Sequence, residues 1–289
     1  MLGDCHVHMV LDGVDFRAAM ARRRPNVNDD AIRACLQAYK NAGISYLRDG
    51  GDKLGAAERA ASLADEYGIV YRTPIFPICK KDHYGAFIGR TFENFDEYRA
   101  LVCEVKRRKG DFVKIMISGL MDFDHYGVIT SEPLSKEEIR DMIAFAHDMG
   151  FSVMAHANGS QTVQDAVEAG VDSVEHGAYL NDECIACLAE SETIWTPTLV
   201  TIGNLIACGR YPDGVLKPLL QHQMRAVQSC ANRGGKIALG SDAGAYRVMH
   251  VQGQRDEYAL LRTAIGAKAD AILECSERTI REKFVSRGE

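Results

Sequence analysis

A short apolar run followed by a helical pattern recurs along all 289 residues, and no other feature restricts the fold so far. The strand-like runs are residues 3–10, 44–49, 69–77, 112–118, 152–157, 173–177, 194–200 and 237–244. Between them lie segments with apolar residues at helical spacing, such as "NDDAIRACLQAYKNAG", "FENFDEYRALVCEVKRRKG" and "SKEEIRDMIAFAHDMG". The last opens on Ser135 and Glu138 at capping-box spacing and stops at Gly150. Strands that alternate with helices pair in parallel through right-handed crossovers. Eight such units close a (β/α)8 TIM barrel, for which about 250 residues is typical. The expected fold is therefore α/β, one barrel domain over residues 1–289. A doubly wound open sheet is the alternative.

Composition removes several classes of function. A formal net charge of −6 leaves no basic footprint for nucleic acid. No apolar run approaches a membrane span, and the N-terminus lacks the basic-then-apolar pattern of a secretion signal. Nine cysteines, an odd number scattered through helices and strands, fit a reducing compartment. The expectation is a cytoplasmic protein that acts on a small molecule, and a homo-oligomer is compatible with it. Cys184 and Cys187 form a CxxC, but no second pair accompanies them, so core packing is the simpler role.

A barrel of this kind places its chemistry at the C-terminal ends of the strands. In "GDCHVHMVLDG", alternation sets His6 and His8 on one face, which makes half of a metal site. In "FVKIMISG", Val113, Ile115 and Ile117 form an aliphatic face suited to helices, turning Lys114 inward with Phe112, Met116 and Ser118. Lysine is rarely buried alone, and Asp4 or Asp242 are candidate partners. His156, His176 and Asp242 fall at the ends of the fifth, sixth and eighth runs. All of these polar residues thus sit at strand ends, and none is scattered to a helix.

The motifs "HVH", "VKIMISG", "MAHANG", "VEHG" and "GSDAG", in that order, resemble the amidohydrolase superfamily of metal-dependent hydrolases. The nearest branch is the one with imidazolonepropionase-like and prolidase-like enzymes. The resemblance implies that His6 and His8 bind a buried α metal, and that His156 and His176 bind a β metal. It further implies a carbon dioxide-derived carbamate on Lys114 bridging two divalent ions, zinc first. Asp242 would border or ligate the α metal and move protons while a metal-bridging hydroxide cleaves an amide or peptide-like C–N bond. An esterase or lactonase using the same site is the alternative. A deaminase, which has no need of a bridging lysine, and a binding protein without turnover, against which Asp242 argues, stand further back. Two features depart from the family. "SGL" at 118–120 lacks the second glycine of the usual turn, and the chain opens on the metal strand without the accessory β-sandwich of many relatives.

Loop residues supply the substrate candidates. Asp-His-Tyr-Gly occurs at 82–85 and again at 124–127, after the third and fourth runs, which proposes His83, Tyr84, His125 and Tyr126. His83 stands where the resemblance places a substrate-contacting histidine. Lys80, Lys81 and Arg90 make the first of these loops basic, pointing to a carboxylate-bearing substrate. Tyr246, Arg247 and His250 follow the eighth run and are set to shape the pocket. By alternation Glu175 should point away from the barrel interior, and Trp195 should lie in the core between barrel and helices.

Overall fold

The computed structural model describes residues 1–22 and 27–286. Its strands are β1 (Asp4–Val7), β2 (Tyr46–Asp49), β3 (Val70–Arg72), β4 (Pro77–Lys80) and β5 (Arg90–Phe92), then β6 (Val113–Met116), β7 (Val153–Ala157), β8 (Ser173–His176), β9 (Ile194–Thr196) and β10 (Lys236–Ile237). All pair in parallel, as β1-β2-β3 and as β10-β9-β8-β7-β6-β4-β5. Backbone bonds from Cys5 N to Leu239 O, Asp242 N to His6 O and His8 N to Ala243 O join the two sheets through β1. The opposite junction is a single barrel position broken in two. β3 pairs with β2 and β4 pairs with β6, while Asp111 N donates to Thr73 O between them.

That break corrects the continuous strand expected over 69–77. Pro74 offers no backbone donor, and Ile75 takes φ 69°, so the ladder stops and resumes at Pro77. β5, which the sequence pattern did not foretell, adds to the outside of β4. With β3 and β4 sharing one position, eight positions close a (β/α)8 barrel. Helices follow in turn, among them Asp29–Asn41, Ala56–Ala64, Phe95–Arg107 and Lys136–Asp148. The helix Lys136–Asp148 carries the expected capping box, with both Ser135 and Glu138 bonds made.

The interior is layered from the N-terminal ends of the strands upward. Tyr46, Phe112, Met154, Ile194 and Ala238 pack with Ile280 and Phe284 into an apolar plug. Above it lie Arg48, Ser173, Glu175 and Thr196, all buried. The outward face of the strands, including Val113, Ile115, Ile117 and Val174, packs against helices in the main core, with Trp195 in the same cluster. Cys184 belongs to that core and Cys187 packs against it. Among the described residues, no helix is long and apolar enough to cross a membrane.

One buried acid outside the barrel wall makes stability depend on pH. Glu257 is fully buried, and its Oε2 accepts Val200 N at 2.7 Å. Burial pushes its carboxyl up to about 8, with the charges of Asp4 and Asp242 adding to the rise. The folded chain therefore keeps a proton that the unfolded chain releases above its ordinary carboxyl range, so this contribution is lost as pH rises towards 8. Glu257→Gln keeps an acceptor and carries no titration. Urea unfolding at pH 5 and pH 8 should show a fall in stability about 3 kcal/mol larger in wild type than in the variant.

Candidate metal centre

Six polar side chains converge above the buried Arg48–Glu175 layer. His6 and His8 come from β1 and the residue just beyond it, Lys114 from β6, His156 from β7, His176 from β8, and Asp242 from the segment after β10. One ligand atom from each of His6, His8 and Asp242 lies within 4.8 Å of the others. Asp242 Oδ1 is 3.3 Å from His8 Nε2 and 3.6 Å from His6 Nε2. The His6 and His176 ring centroids are 5.2 Å apart, and those of His176 and His156 are 4.6 Å apart. The imidazoles therefore form one continuous row.

Each of three rings has one nitrogen committed to a neighbour, which leaves the other as a donor. His6 Nδ1 donates to Glu175 Oε2 at 2.7 Å, and the carboxylate is paired through Oε1 with Arg48 Nη2 at 3.0 Å. His156 Nε2 donates to Gly119 O at 3.1 Å, a carbonyl also taken by Asn158 Nδ2 at 2.9 Å. His176 Nδ1 meets Thr198 Oγ1 at 2.8 Å. Burial first, then the Lys114 charge or a neighbouring imidazole, holds His6, His156 and His176 well below the usual histidine range, so all three are neutral. Burial opposes ionisation of Asp242, yet the His8 and His6 rings and Lys114 hold its carboxyl below the usual range.

Lys114 is the anomaly. It is 1% exposed, its Nζ finds no hydrogen-bond partner among the described residues, and burial pushes its ammonium down to about 8. His6 Nε2 is likewise buried and makes no hydrogen bond among the described residues. The free Nε2 of His6, beside the Asp242 carboxylate, fits a divalent cation, whose usual ligands are neutral imidazole and carboxylate oxygen, whereas Lys114 as an ammonium would oppose one.

The backbone is strained where it serves this cluster. His176 (φ 69°), Thr198 (φ 48°) and Asp242 (φ 59°) all occupy the left-handed region, costly for residues with a Cβ. Two glycines give the rings room. A Cβ on Gly240 would sit 2.8 Å from His6 Cβ, and one on Gly50 would collide with the His8 ring.

The left-handed turn at His176 corrects the orientation expected for Glu175. In register, Met154 faces Ser173 and His156 faces Glu175, so the inward residues of β8 are Ser173 and Glu175. His176 would point outward by alternation, and its positive φ swings it back over the barrel mouth. Glu175 is therefore an interior residue bonded to His6.

A family profile described as "Amidohydrolase family" matches residues 4–276, from the first strand into the last helix. The chain belongs to the amidohydrolase family. An uncharacterised protein of Mycobacterium tuberculosis is 26% identical over 251 residues, covering 84% of this chain and 63% of its own length. Ochratoxinase of Aspergillus niger is 23% identical over 281 residues, covering 83% of this chain and 57% of its own. The chain thus spans about three fifths of these curated relatives. The ochratoxinase crystal structure superposes with a TM-score of 0.74 at 21% identity, covering 94% of this chain and 68% of that one. A Xaa-Pro dipeptidase with methionine bound in its active site gives 0.74 at 21% identity, covering 97% and 74%.

The cluster opens into a cavity of about 700 Å3. Of the loop candidates, Tyr84 and Tyr246 line it; His83, Arg90, His125, Tyr126 and His250 do not. His83 instead bonds Glu132 O at 3.1 Å, tying two loops together. Arg90 pairs with Glu104 at 2.6 Å over the Phe76 ring, on the helix side of the sheet. His125 pairs with Asp122 at 3.0 Å, and Tyr126 packs edge-on to Tyr179 at the surface. His250 lies between Tyr39 Oη (2.9 Å) and Leu11 O (3.1 Å). Arg247 is engaged through its backbone N with Gly13 O. Lys80 and Lys81 are also spent, on Glu138 and Glu93, both at 2.5 Å.

The sequence pattern overlooked Arg48, although a lone arginine in the apolar run "ISYLRD" carries the same signal as Lys114. Arg48 Nε donates to Cys5 O at 2.7 Å, so one guanidinium grips both Glu175 and the backbone just before His6. Removing one partner of such a buried pair strands a charge. Arg48→Met should lower stability by about 3–5 kcal/mol in urea unfolding. The Arg48→Met/Glu175→Gln double variant should recover much of that loss, giving a double-mutant cycle that is far from additive. Glu175→Gln should also weaken zinc binding by roughly 10–100-fold in competition with a chromophoric chelator.

Proposed function

We propose that the protein is a binuclear metal-dependent hydrolase that cleaves an amide or peptide-like C–N bond in a small molecule. The observation that carries this is the single row of buried imidazoles bounded by Asp242 and by a lysine with no hydrogen-bond partner among the described residues. It agrees with membership of the amidohydrolase family and with a fold shared with a dipeptidase and an ochratoxinase, the prolidase-like side of the superfamily.

His6, His8 and Asp242 would hold one ion, and His156 and His176 a second. The donor set favours zinc. Bound there, divalent ions supply Lewis acidity, lowering the pKa of water and polarising a carbonyl. Lys114 has two features that suit carboxylation: a lowered pKa, which makes the reactive neutral amine accessible, and a buried tip that has no partner as a cation. As a carbamate it would offer two oxygens as ligands in place of a cation. Asp242, ionised in the resting site, accepts the proton of the attacking water and delivers it to the nitrogen as the C–N bond breaks. The products are a carboxylic acid and an amine.

Metal analysis of protein grown with zinc should give about two ions per chain, unchanged in a Cys184→Ser/Cys187→Ser variant. Absence of metal would end the binuclear reading. Asp242→Asn should lose turnover of amides by at least about 100-fold while retaining much of the metal. Lys114→Ala should lose metal and activity together, with partial return on adding short carboxylic acids. Carbon-13 NMR after labelling with bicarbonate should show a carbamate resonance in wild type that is missing from the Lys114 variant.

A further inference from the structure

The cavity above the cluster has two chemically different walls. On one side Phe16 meets Phe87 edge-on at 5.7 Å, Phe87 meets Tyr84 at 5.8 Å, and Tyr84 lies 4.8 Å from the His156 ring. This aromatic row runs without interruption from the rim to the metal centre. Phe16 and Phe87, 46% and 37% exposed, meet in an apolar patch on the lining of the cavity, a surface that a ligand can cover.

The other wall carries a cation. The Arg210 guanidinium lies 4.6 Å from the Tyr246 ring and 5.2 Å from the Tyr211 ring, and all three line the cavity. Tyr211 is braced in turn by Phe123 at 5.4 Å. Unlike Lys80, Lys81 and Arg90, Arg210 has no carboxylate partner among the described residues. Aromatic faces steady a guanidinium while leaving its in-plane N–H edge free for a bidentate anion. The carboxylate-reading function expected of the 80–90 loop thus has a better placed bearer on the opposite side of the mouth. A cavity of about 700 Å3 also exceeds the needs of an acetylated glycine.

We propose that the substrate is an amide bearing two further groups: a carboxylate bound by Arg210, and an aromatic or similarly bulky apolar group stacked along Phe16, Phe87 and Tyr84. N-aroyl amino acids and dipeptides with large apolar side chains are the class. This rests on the amide-hydrolase reading for its chemistry, but its recognition element can be tested apart from turnover.

The test compares N-benzoyl-L-phenylalanine, its carboxamide and N-acetylglycine on zinc-loaded wild type, Arg210→Gln, Arg210→Lys and Lys81→Gln. Wild type should prefer the acid over the carboxamide by roughly 100-fold in kcat/KM and handle N-acetylglycine poorly. Arg210→Gln should reduce that preference below about fivefold, chiefly through KM, with Arg210→Lys intermediate because it keeps charge without the planar fork. Lys81→Gln should behave as wild type. Equal rates on acid and carboxamide in wild type, or an equal loss on both in Arg210→Gln, would overturn the proposal. Calorimetry with 4-phenylbutanoate and 4-phenylbutanamide decides recognition even if no amide is hydrolysed. Tenfold tighter binding of the acid in wild type, lost in Arg210→Gln, upholds it, and equal affinities refute it. Failure of all turnover would instead count against the hydrolase reading.

Discussion

The Arg48 guanidinium is the fixed point of this barrel. It sits on the Phe284 ring at 4.4 Å, bonds the carbonyl of Cys5, and pairs with Glu175, which holds His6. A buried pair of opposite charges seldom adds net stability, because desolvation consumes most of the attraction. What it supplies here is direction. Glu175 Oε2 accepts from His6 while Oε1 is held by Arg48, so the His6 hydrogen lies on Nδ1 and the lone pair on Nε2 faces Asp242 and the cavity. Ser173 Oγ also donates to Glu175, and Thr196 lies within reach of Arg48, so few rearrangements are open to the group.

The other rings are held by the same logic with weaker partners. Thr198 secures His176, and the Gly119 carbonyl, shared with Asn158, secures His156. The His176 carbonyl is itself gripped by Trp195 Nε1 at 3.0 Å and Gln223 Nε2 at 2.5 Å. These bonds pin the left-handed turn that brings His176 inward. Strain at strand ends and hydrogen bonds beneath them are thus two halves of one device for aiming side chains at a point.

Much of this was legible in the sequence because polar residues inside apolar runs have few innocent explanations. His6, His8, Lys114, His156, His176 and Asp242 converge as the barrel rule required. Alternation failed at Glu175 because it assumed His176 to be in phase with the strand, and no local signal marks a non-glycine residue at positive φ. The Pro74–Ile75 break was readable in principle from the proline, whereas β5 depended on a neighbouring edge to join. Loop residues were the weakest inferences. Where His83, Arg90 or His125 points is set by partners such as Glu132, Glu104 and Asp122, whose proximity only the folded chain establishes.

The stacking of Phe284 beneath Arg48 has a bearing on synthesis. The floor under His6, six residues from one end, is completed by an aromatic ring 278 positions further along, and Ile280 closes the same plug. Contacts of such long sequence separation form late, since the intervening loop must be closed first. On the ribosome, β1 can pair early with β2, but the floor beneath it stays open until the helix Ala269–Lys283 has emerged and docked. The pocket that gathers these imidazoles is therefore complete only after nearly the whole barrel has been synthesised, when the helix Ala269–Lys283 docks beneath it.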